Sequence, residues 1–481
     1  MSTRKCFLSR GQFPSPVFGS LASGKDAAIT FFRGDGMFES LFLGGLLATA
    51  QTPVDKNLVK PIPPMAPISL VQAPKDAAAP AEGEKKEEEK EEEPAKKYFL
   101  MRLLEGTSTG LLLDDKGIVM KGYMQGNYTA STANGVNLPM AMNYQANQFL
   151  LEQNMLMIEK AVDTKSKESN WGFHIEGILP GSDYRFTLQN NLMDSQLRMN
   201  NGLPNNYGVD LPQFYVENYN PNIAGGMDSK VGRFYTIICN ESIDTTQNKL
   251  VSRALTFMNN PFTHTGALTQ TKIGERWTWS NAITAGNDVF FGPASKVAYL
   301  GGIKWESEDG NANIAFNTNL TDPSFNSRIQ TANNYDVFEI LFNWKISDKW
   351  YYTSDSMYSF INNWDTNGGT PFYERDGVTP RAYQGWANWY GFMNYLTYTF
   401  NDRLSTTSRV EFFTDTKGVR TGYEGLYTSL TQGITYKMWD DQLWVRPEFR
   451  YDNNSVSKAY NNDGNPSNGL FTFAIDFVVK Y

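Results

Sequence analysis

The sequence predicts an all-β fold, a transmembrane antiparallel β-barrel of about 16 strands (range about 14 to 18), preceded by a disordered N-terminal tether. Three observations predict this fold class. Apolar and polar residues alternate with period two in many segments, connections alternate between short and long, and aromatic residues gather near the predicted strand ends. Such a fold implies that lipid contacts one face of each strand and that the other face is polar.

Residues 1–50 are predicted to be an N-terminal extension and signal peptide. The apolar segment 41–50 (LFLGGLLATA) ends in Ala-Thr-Ala, a pattern of small residues that signal peptidases cleave, and Arg33 lies upstream as a basic flank. We therefore expect export and cleavage after Ala50. Translation from Met37 is an alternative start, although that version lacks a basic residue at its beginning.

Residues 51–97 are rich in Pro, Ala, Glu and Lys, and are predicted to be a disordered linker, because this composition cannot bury a core. Residues 98–115 are predicted to be a short helix (YFLMRLL) with a lead-in, and residues 116–481 the outer-membrane β-barrel. Cys6 lies in the part expected to be removed. Cys239 is then the only cysteine left, which excludes an intramolecular disulfide.

Period-two alternation is clearest near the C-terminus. In residues 470–481 every odd-numbered position is apolar, whereas the even-numbered positions include Asp476 and Lys480. Residues 440–452 place charged side chains on one face and apolar side chains on the other in the same way, and so do residues 334–346. No uninterrupted apolar run approaches the roughly 20 residues of a membrane-spanning helix. A role in a membrane therefore has to use strands.

Short and long connections alternate in the C-terminal half, as in outer-membrane barrels, and we expect the short turns to face the periplasm. The short ones are Ser347–Lys349, Asn401–Asp402 and Trp439–Gln442, and the long ones are Asn362–Gln384, Asp415–Gly422 and Asn453–Gly469.

Fifteen strands can be assigned directly, and bacterial single-chain barrels have even strand numbers. We therefore expect one more strand, either in Asp183–Gln189 or within Glu241–Glu275. The fifteen assigned strands begin near Ile118, Leu150, Trp171, Gln213, Val231, Trp277, Val297, Asn311, Asp336, Trp350, Trp386, Leu404, Leu426, Leu443 and Leu470.

Several short motifs between residues 117 and 316 resemble the β-barrel porins of the OmpL-like kind, and the likeness is looser toward the C-terminus. The family pattern favours Gly-Tyr before Glu241, where this chain has Cys239-Asn240. The resemblance implies a pore in the outer membrane and does not specify the solute. The motifs are Lys121–Tyr128, Asn170–Phe173, Gly181–Asp183, Pro212–Glu217, Gly232–Thr236, Glu241, Asn248, Ser252-Arg253 and Pro261–Gly266.

The segment 241–275 is too long for a tight turn and mixes charged with apolar residues, so we expect it to fold inward and narrow the channel. A second interpretation, given equal weight, is that its polar residues only hold the loop against the barrel wall. Glu176 is a further inward-facing candidate. The candidate residues of the constriction or lumen are Glu217, Arg233, Glu241, Asn248, Arg253 and His264.

The predicted function is passive diffusion of small hydrophilic solutes or ions across the outer membrane. Catalysis is not expected, because the chain has 2 His and lacks a metal-ligand or phosphate-binding motif in its sequence. We expect no cofactor and no bound metal. The expected partners are outer-membrane lipids and small hydrophilic solutes, and a homotrimer is compatible with the sequence. The net charge of -8 gives no indication of a nucleic-acid partner.

A second function class is a secreted or surface β-protein that binds carbohydrate. Its candidate residues are the aromatic side chains Trp364, Trp386, Trp389 and Tyr390, which could stack on sugar rings. The apolar face of the predicted strands argues against this class, since it would be exposed to water in a soluble protein.

Overall fold

The computed structural model describes residues 97–188, 192–197, 199, 205–292, 295–322, 334–365 and 372–481. The predicted signal peptide and almost all of the predicted linker lie outside these residues. Sixteen antiparallel strands form one sheet, and two small hairpins lie in the long connections. The strands of the sheet are β1 Val119–Ser131, β2 Gln148–Lys160, β3 Asn170–Gly181, β4 Gly208–Asn220, β5 Met227–Tyr235, β6 Thr263–Ile273, β7 Trp277–Thr284, β8 Ala298–Glu306, β9 Ala312–Leu320, β10 Asp336–Lys345, β11 Trp350–Asp365, β12 Gln384–Asn401, β13 Leu404–Asp415, β14 Gly425–Met438, β15 Leu443–Asn454 and β16 Gly469–Lys480.

The sheet closes into a barrel. Each strand pairs with the next in the chain, and β16 pairs with both β15 and β1. Strand β9 lies beside β10, where the Lys345 N–H donates to the Asn311 carbonyl at 2.7 Å. Closure leaves no sheet edge open to lipid, as the hydrocarbon layer requires. The predicted barrel of 16 strands is confirmed.

The strand that direct assignment missed is β6, inside the segment 241–275. The other candidate, Asp183–Gln189, instead contains the short helix α3 (Tyr184–Thr187). Polar residues interrupt the β6 pattern in THTGALTQTKI, and its Gly266 packs close to the backbone of the neighbouring strand: a Cβ there would lie 2.1 Å from the Ile283 carbonyl oxygen. This close approach explains why a small residue stands where a strand pattern favours a larger one.

Short connections join the strands at one end of the barrel, and longer ones join them at the other. The short group is 161–169, 221–226, 274–276, 307–311, 346–349, 402–403 and 439–442. The long group includes 132–147, 182–207, 236–262, 285–297 and 455–468.

Helices are few. Before the barrel lie α1 (Phe99–Leu103) and α2 (Ser108–Lys116), and α4 (Leu255–Met258) lies between β5 and β6. Helix α2 is capped by the Thr107 hydroxyl, which accepts the Gly110 N–H. No helix among the described residues has the length and apolar character needed to span a membrane.

The alternating side chains of the strands point outward and inward as the sequence predicts. On β16, Phe471 and Phe477 are exposed, whereas Thr472 and Asp476 are buried. Apolar side chains from the long connections and from the inner faces of the strands form the main hydrophobic core, which includes Met140, Tyr144, Phe186, Leu255 and Trp389. Charged residues and this core therefore share the interior of the barrel.

Candidate functional site

Residues 236–262, which join β5 to β6, are the centre of the candidate site, and we name them the tethered segment. Their polar groups bond side chains on the inner faces of β1, β2, β10, β11, β12, β13 and β15. The predicted segment 241–275 is thereby divided, because its residues 263–273 form β6. Residues 241–262 belong to the tethered segment, and residues 274 and 275 belong to the short turn between β6 and β7.

Glu241 joins the tethered segment to the wall by an ion pair. Its Oε1 lies 2.7 Å from Arg409 Nη1 of β13, and the hydroxyl of Tyr395 on β12 donates to the same oxygen at 2.5 Å. Its Oε2 accepts the Ala254 N–H at 2.7 Å. Both partners of the ion pair are almost fully buried. Removing one of them would leave an uncompensated charge inside the protein.

Two carboxylates of the wall accept backbone N–H groups of the tethered segment. Glu448 on β15 accepts the N–H groups of Val251 at 2.7 Å and Ser252 at 3.2 Å. Glu411 on β13 accepts those of Leu255 at 2.9 Å and Thr256 at 2.6 Å, at the start of α4. Helix starts have unpaired N–H groups, so a carboxylate placed there satisfies them.

Two arginines of β15 bind carbonyl oxygens of the tethered segment. Arg446 Nη1 donates to the carbonyls of Thr245 at 3.1 Å and Asn248 at 2.9 Å, and Arg450 Nη1 donates to the Arg253 carbonyl at 2.5 Å. Arg446 is also paired with Asp476 of β16, which compensates its charge. Side chains of both signs thus bind both kinds of backbone group, as buried backbone requires.

Asn248 and Arg253, two predicted site residues, stabilise the tethered segment from within. The Asn248 amide donates to the carbonyls of Ser242 at 2.9 Å and Asp244 at 2.7 Å. Arg253 Nε donates to the Ser242 carbonyl at 3.0 Å, and its Nη2 donates to the Ile243 carbonyl at 3.2 Å. Both side chains are buried, so they shape the segment and are not charges presented to open solvent.

The other predicted site residues lie on the strands. Arg233 is fully buried on β5, and its Nη1 lies 3.0 Å from Asp210 Oδ1. His264 is fully buried at the start of β6, where its Nε2 lies 3.2 Å from Thr236 Oγ1. Glu217 on β4 pairs with Lys230 at 3.0 Å. The structure therefore brings Glu241, Asn248 and Arg253 together and leaves these three elsewhere.

Two glycines of the wall allow the tethered segment to pack closely. A Cβ at Gly391 of β12 would lie 2.2 Å from Thr256 Oγ1, and a Cβ at Gly433 of β14 would lie 2.6 Å from Leu250 Cδ2. Any larger residue at these positions has to displace the segment or deform the wall.

A cavity of about 350 Å³ borders the first part of the tethered segment. Its charged lining includes the carboxylates of Glu159, Glu176 and Asp244 and the ammonium group of Lys121. The predicted inward candidate Glu176 accepts hydrogen bonds from the Tyr235 hydroxyl and, at 2.9 Å, from the Gln213 amide. Apolar side chains, among them Phe257 and Phe262, line the same space, so the cavity has charged groups next to an apolar surface.

Two carboxyl groups of the long connections have raised pKa values. Burial raises the pKa of Asp183 to about 6, although the Gln153 amide bonds its carboxylate at 2.8 Å. Burial likewise raises the pKa of Asp288 to about 6, although its carboxylate accepts hydrogen bonds from the N–H groups of Phe262 and Thr263, which lower the pKa. Gln153 also donates to the Ile243 carbonyl, and Phe262 is the last residue of the tethered segment, so both carboxyl groups lie next to contacts of that segment.

Sequence reasoning missed the partners of the tethered segment on the wall. They lie far from it along the chain: Ser252 and Glu448 are 196 residues apart. A signal was present, because charged residues alternate with apolar residues in parts of the strands 404–415 and 443–454 and thereby indicate an interior that contains polar groups. That pattern identifies inward charges and cannot identify what they bind.

The four aromatic residues proposed to bind carbohydrate do not share one surface. Trp364 is 4% exposed and Trp389 is fully buried, with its indole N–H donating to the Asn259 carbonyl at 3.2 Å. Trp386 and Tyr390 are exposed. A sugar could not stack on all four.

A closed barrel of antiparallel strands, apolar outside and charged within, defines a transmembrane channel of the outer membrane. Residues 117–481 match the model of a family described as "Putative beta-barrel porin-2, OmpL-like", and the chain belongs to this family. The resemblance found in the sequence motifs is thereby confirmed. No curated protein matches the chain in sequence.

Solved structures of porins are similar to the barrel. The outer membrane channel DcaP of Acinetobacter baumannii is 11% identical, with 76% of this chain and 97% of that chain covered and a TM-score of 0.46. An anion-selective porin from Comamonas acidovorans is 9% identical, with 76% and 99% covered and a TM-score of 0.48. OmpF of Salmonella typhi, in complex with daunomycin, is 11% identical, with 76% and 99% covered and a TM-score of 0.46.

Proposed function

We propose that the protein lets small hydrophilic solutes or ions diffuse passively through its lumen, and that the tethered segment folds inward and narrows this route. One observation carries the proposal: residues 236–262 bond inner-face side chains of strands as far apart in the barrel as β2, β10 and β15. A connection bound to so many parts of one wall has to run between them. The six predicted site residues then act as follows: Glu241, Asn248 and Arg253 hold the constriction, while Glu217, Arg233 and His264 support the wall behind it.

We further propose a preference for cations. The cavity beside the tethered segment has four carboxylates in its lining, those of Glu159, Glu176, Glu241 and Asp244, and one lysine, Lys121. Arg409 compensates Glu241, Lys121 pairs with Glu159, and the ring of His174, which also lines the cavity, lies 3.1 Å from Glu176. Asp244 is then the lining carboxylate that forms no ion pair among the described residues, and its charge gives the cavity a negative potential that concentrates cations and disfavours anions.

Catalysis has no support in the surroundings of the two histidines. His174 lies between Glu159 Oε2 at 2.9 Å and Glu176 Oε2 at 3.1 Å. His264 contacts the Gly286 carbonyl and the Thr236 hydroxyl. In the part of the chain that the structure describes, neither ring is bonded to a serine or cysteine, and the ring that contacts the Thr236 hydroxyl has a backbone carbonyl rather than a carboxylate at its other nitrogen.

The assembly remains a prediction, namely a homotrimer embedded in outer-membrane lipid. Light scattering on the detergent-solubilised protein, corrected for bound detergent, measures the number of chains. A mass of three chains supports the homotrimer, and a mass of one chain contradicts it.

The function is tested with protein folded in detergent and inserted into planar bilayers. Discrete current steps in simple salt, with a reversal potential in a salt gradient whose sign reports cation preference, are the expected result. Swelling of liposomes in small neutral sugars tests solutes without charge. Folded protein that gives neither current nor swelling would contradict passive diffusion.

A further inference from the structure

Three side chains with metal-binding atoms meet where the tethered segment begins. Cys239 belongs to that segment, Glu339 to β10 and Asp355 to β11. One ligand atom from each side chain lies within 4.8 Å of the other two. A tetrahedral Zn²⁺ ion with bonds of about 2.0–2.3 Å holds its ligand atoms about 3.5 Å apart. The three atoms are therefore spaced so that small side-chain movements could place them around one ion.

The negative charge of this cluster has no compensating cation among the described residues. Glu339 and Asp355 are both fully buried, and neither forms an ion pair with a lysine, arginine or histidine in those residues. Their hydrogen bonds come from neutral donors, since Glu339 accepts the Asn317 amide and the Cys239 N–H, and Asp355 Oδ2 accepts the Asn240 N–H at 2.9 Å. Two adjacent buried carboxylates are costly unless a proton or a cation lies between them.

One oxygen of the cluster also lacks a hydrogen bond. Asp355 Oδ1 is buried and has no hydrogen-bond partner in the described structure. Buried polar atoms without partners are uncommon in native proteins and need an explanation, of which an ion is one. This observation is independent of the spacing of the three ligand atoms.

We propose that Cys239, Glu339 and Asp355 bind a divalent metal ion of the zinc class. A thiolate with carboxylates favours Zn²⁺ over Mg²⁺ or Ca²⁺, which prefer oxygen ligands only. Cys239 is partly exposed and lines the cavity of about 350 Å³, which provides an entry path and space for a water molecule as fourth ligand. On binding, the thiol proton passes to water and the sulfur donates an electron pair to the metal.

Such an ion would strengthen the attachment of the tethered segment to β10 and β11, where hydrogen bonds already join it to the wall. The Glu241–Arg409 ion pair holds it against β13, and the metal would hold it against β10 and β11 two residues earlier. Sequence patterns do not reveal this site, because Cys239 and Glu339 are 100 residues apart. The expectation that the protein binds no metal is replaced by this proposal.

The test uses the full chain carrying Cys6→Ser, folded in detergent and stripped with a chelator, so that Cys239 is the only thiol. Titration with Co²⁺ should give one bound equivalent and a thiolate-to-cobalt charge-transfer band in the near ultraviolet, and Zn²⁺ should displace the cobalt. Cys239→Ala should abolish the band. Glu339→Gln and Asp355→Asn should each weaken binding by more than about tenfold. Glu217→Gln removes a carboxylate of β4 that lies outside this cluster. It is the matched control and should bind Co²⁺ as the parent protein does.

A second measurement does not depend on folding of the variants. In the Cys6→Ser protein, Zn²⁺ should slow alkylation of Cys239 by a maleimide, and removal of Zn²⁺ should restore the rate. Absence of stoichiometric Co²⁺ binding together with an unchanged alkylation rate would overturn the proposal and favour a proton shared by Glu339 and Asp355. Cobalt binding that survives Cys239→Ala would overturn it as well.

Discussion

Glu241 of the tethered segment and Arg409 of β13 form an ion pair of 2.7 Å, and their side chains are 4% and 0% exposed. Such a pair costs desolvation of both charges, so it is weak support for overall stability. Its geometry nevertheless holds the start of the tethered segment against β13, because moving Glu241 away would separate two buried charges.

Glu241→Gln should release the tethered segment while the barrel stays folded. Removing one charge of a buried pair costs about 3–5 kcal/mol because the other charge is left uncompensated. Trypsin should then cut at Arg253, which is buried in the native protein, and single-channel conductance should rise. Glu306→Gln is the control, since its ion pair with Lys304 lies within β8 and does not involve the segment. Equal protease resistance of wild type and Glu241→Gln would contradict this role.

Gly391→Leu should displace the tethered segment from β12. A Cβ at this position already lies 2.2 Å from Thr256 Oγ1, and Thr256 is held by Glu411. Overpacking of this kind costs about 1–3 kcal/mol. We expect trypsin cleavage at Arg253 and a changed conductance. Phe392→Leu alters the outward side chain next to it on the same strand and should change neither; if it has the same effect, the close packing at Gly391 is not the cause.

Acidic pH should favour the packed state of the long connections. The folded-state pKa of Asp183 and of Asp288 is raised by burial to about 6, above the ordinary value of 3.8. Between pH 3.8 and about 6 the folded state therefore binds more protons than the unfolded state. This difference stabilises the folded state by about 2–3 kcal/mol for each carboxyl group. The stabilisation is complete below pH 4 and is lost as pH rises through about 6.

The measurement for this prediction is conductance between pH 4 and pH 7, which should be lower at the acidic end. Asp183→Asn combined with Asp288→Asn removes both titrating groups and should flatten the profile. A profile that the double substitution leaves unchanged would assign the pH dependence to other groups.

Tyr481→Ala should weaken the closure of the barrel between β16 and β1. The backbone of Tyr481 exchanges two hydrogen bonds of 2.8 Å with Gly122, and its hydroxyl donates to Asn154 Oδ1 at 3.0 Å. The substitution removes the aromatic ring and the hydroxyl bond to Asn154, and this loss should cost about 1–3 kcal/mol. The temperature at which the folded band disappears on semi-native gels should fall. Leu430→Ala, on the outer face of β14, is the control, and an equal fall in both variants would contradict a special role for the seam.

The fold was largely predictable because lipid and a polar interior impose period two on every strand. The charges at 446, 448 and 450 face inward as that period requires. Strand β6 was missed because its close approach to β7 demands Gly266, which weakens the pattern. The helix α2 was also not predicted, since its residues show no clear apolar stripe.

The candidate site was predictable in part. Motif resemblance identified Glu241, Asn248 and Arg253, which the structure brings together in the tethered segment. It could not identify Arg409, Glu411 or Glu448, because pairing across a barrel depends on closure and on the path of a connection rather than on local sequence. Arg233 and His264 belong to the same motifs but support the strands on either side of the segment.

The central claim is that the tethered segment limits flow through the lumen, and single-channel conductance tests it most directly. The wild type should be compared with a variant in which residues 244–257 are replaced by a short Gly-Ser linker, after circular dichroism and heat-shift gels show that both are folded barrels. We predict discrete current steps in both and a larger conductance in the variant. Equal conductance in the two folded proteins would contradict the account.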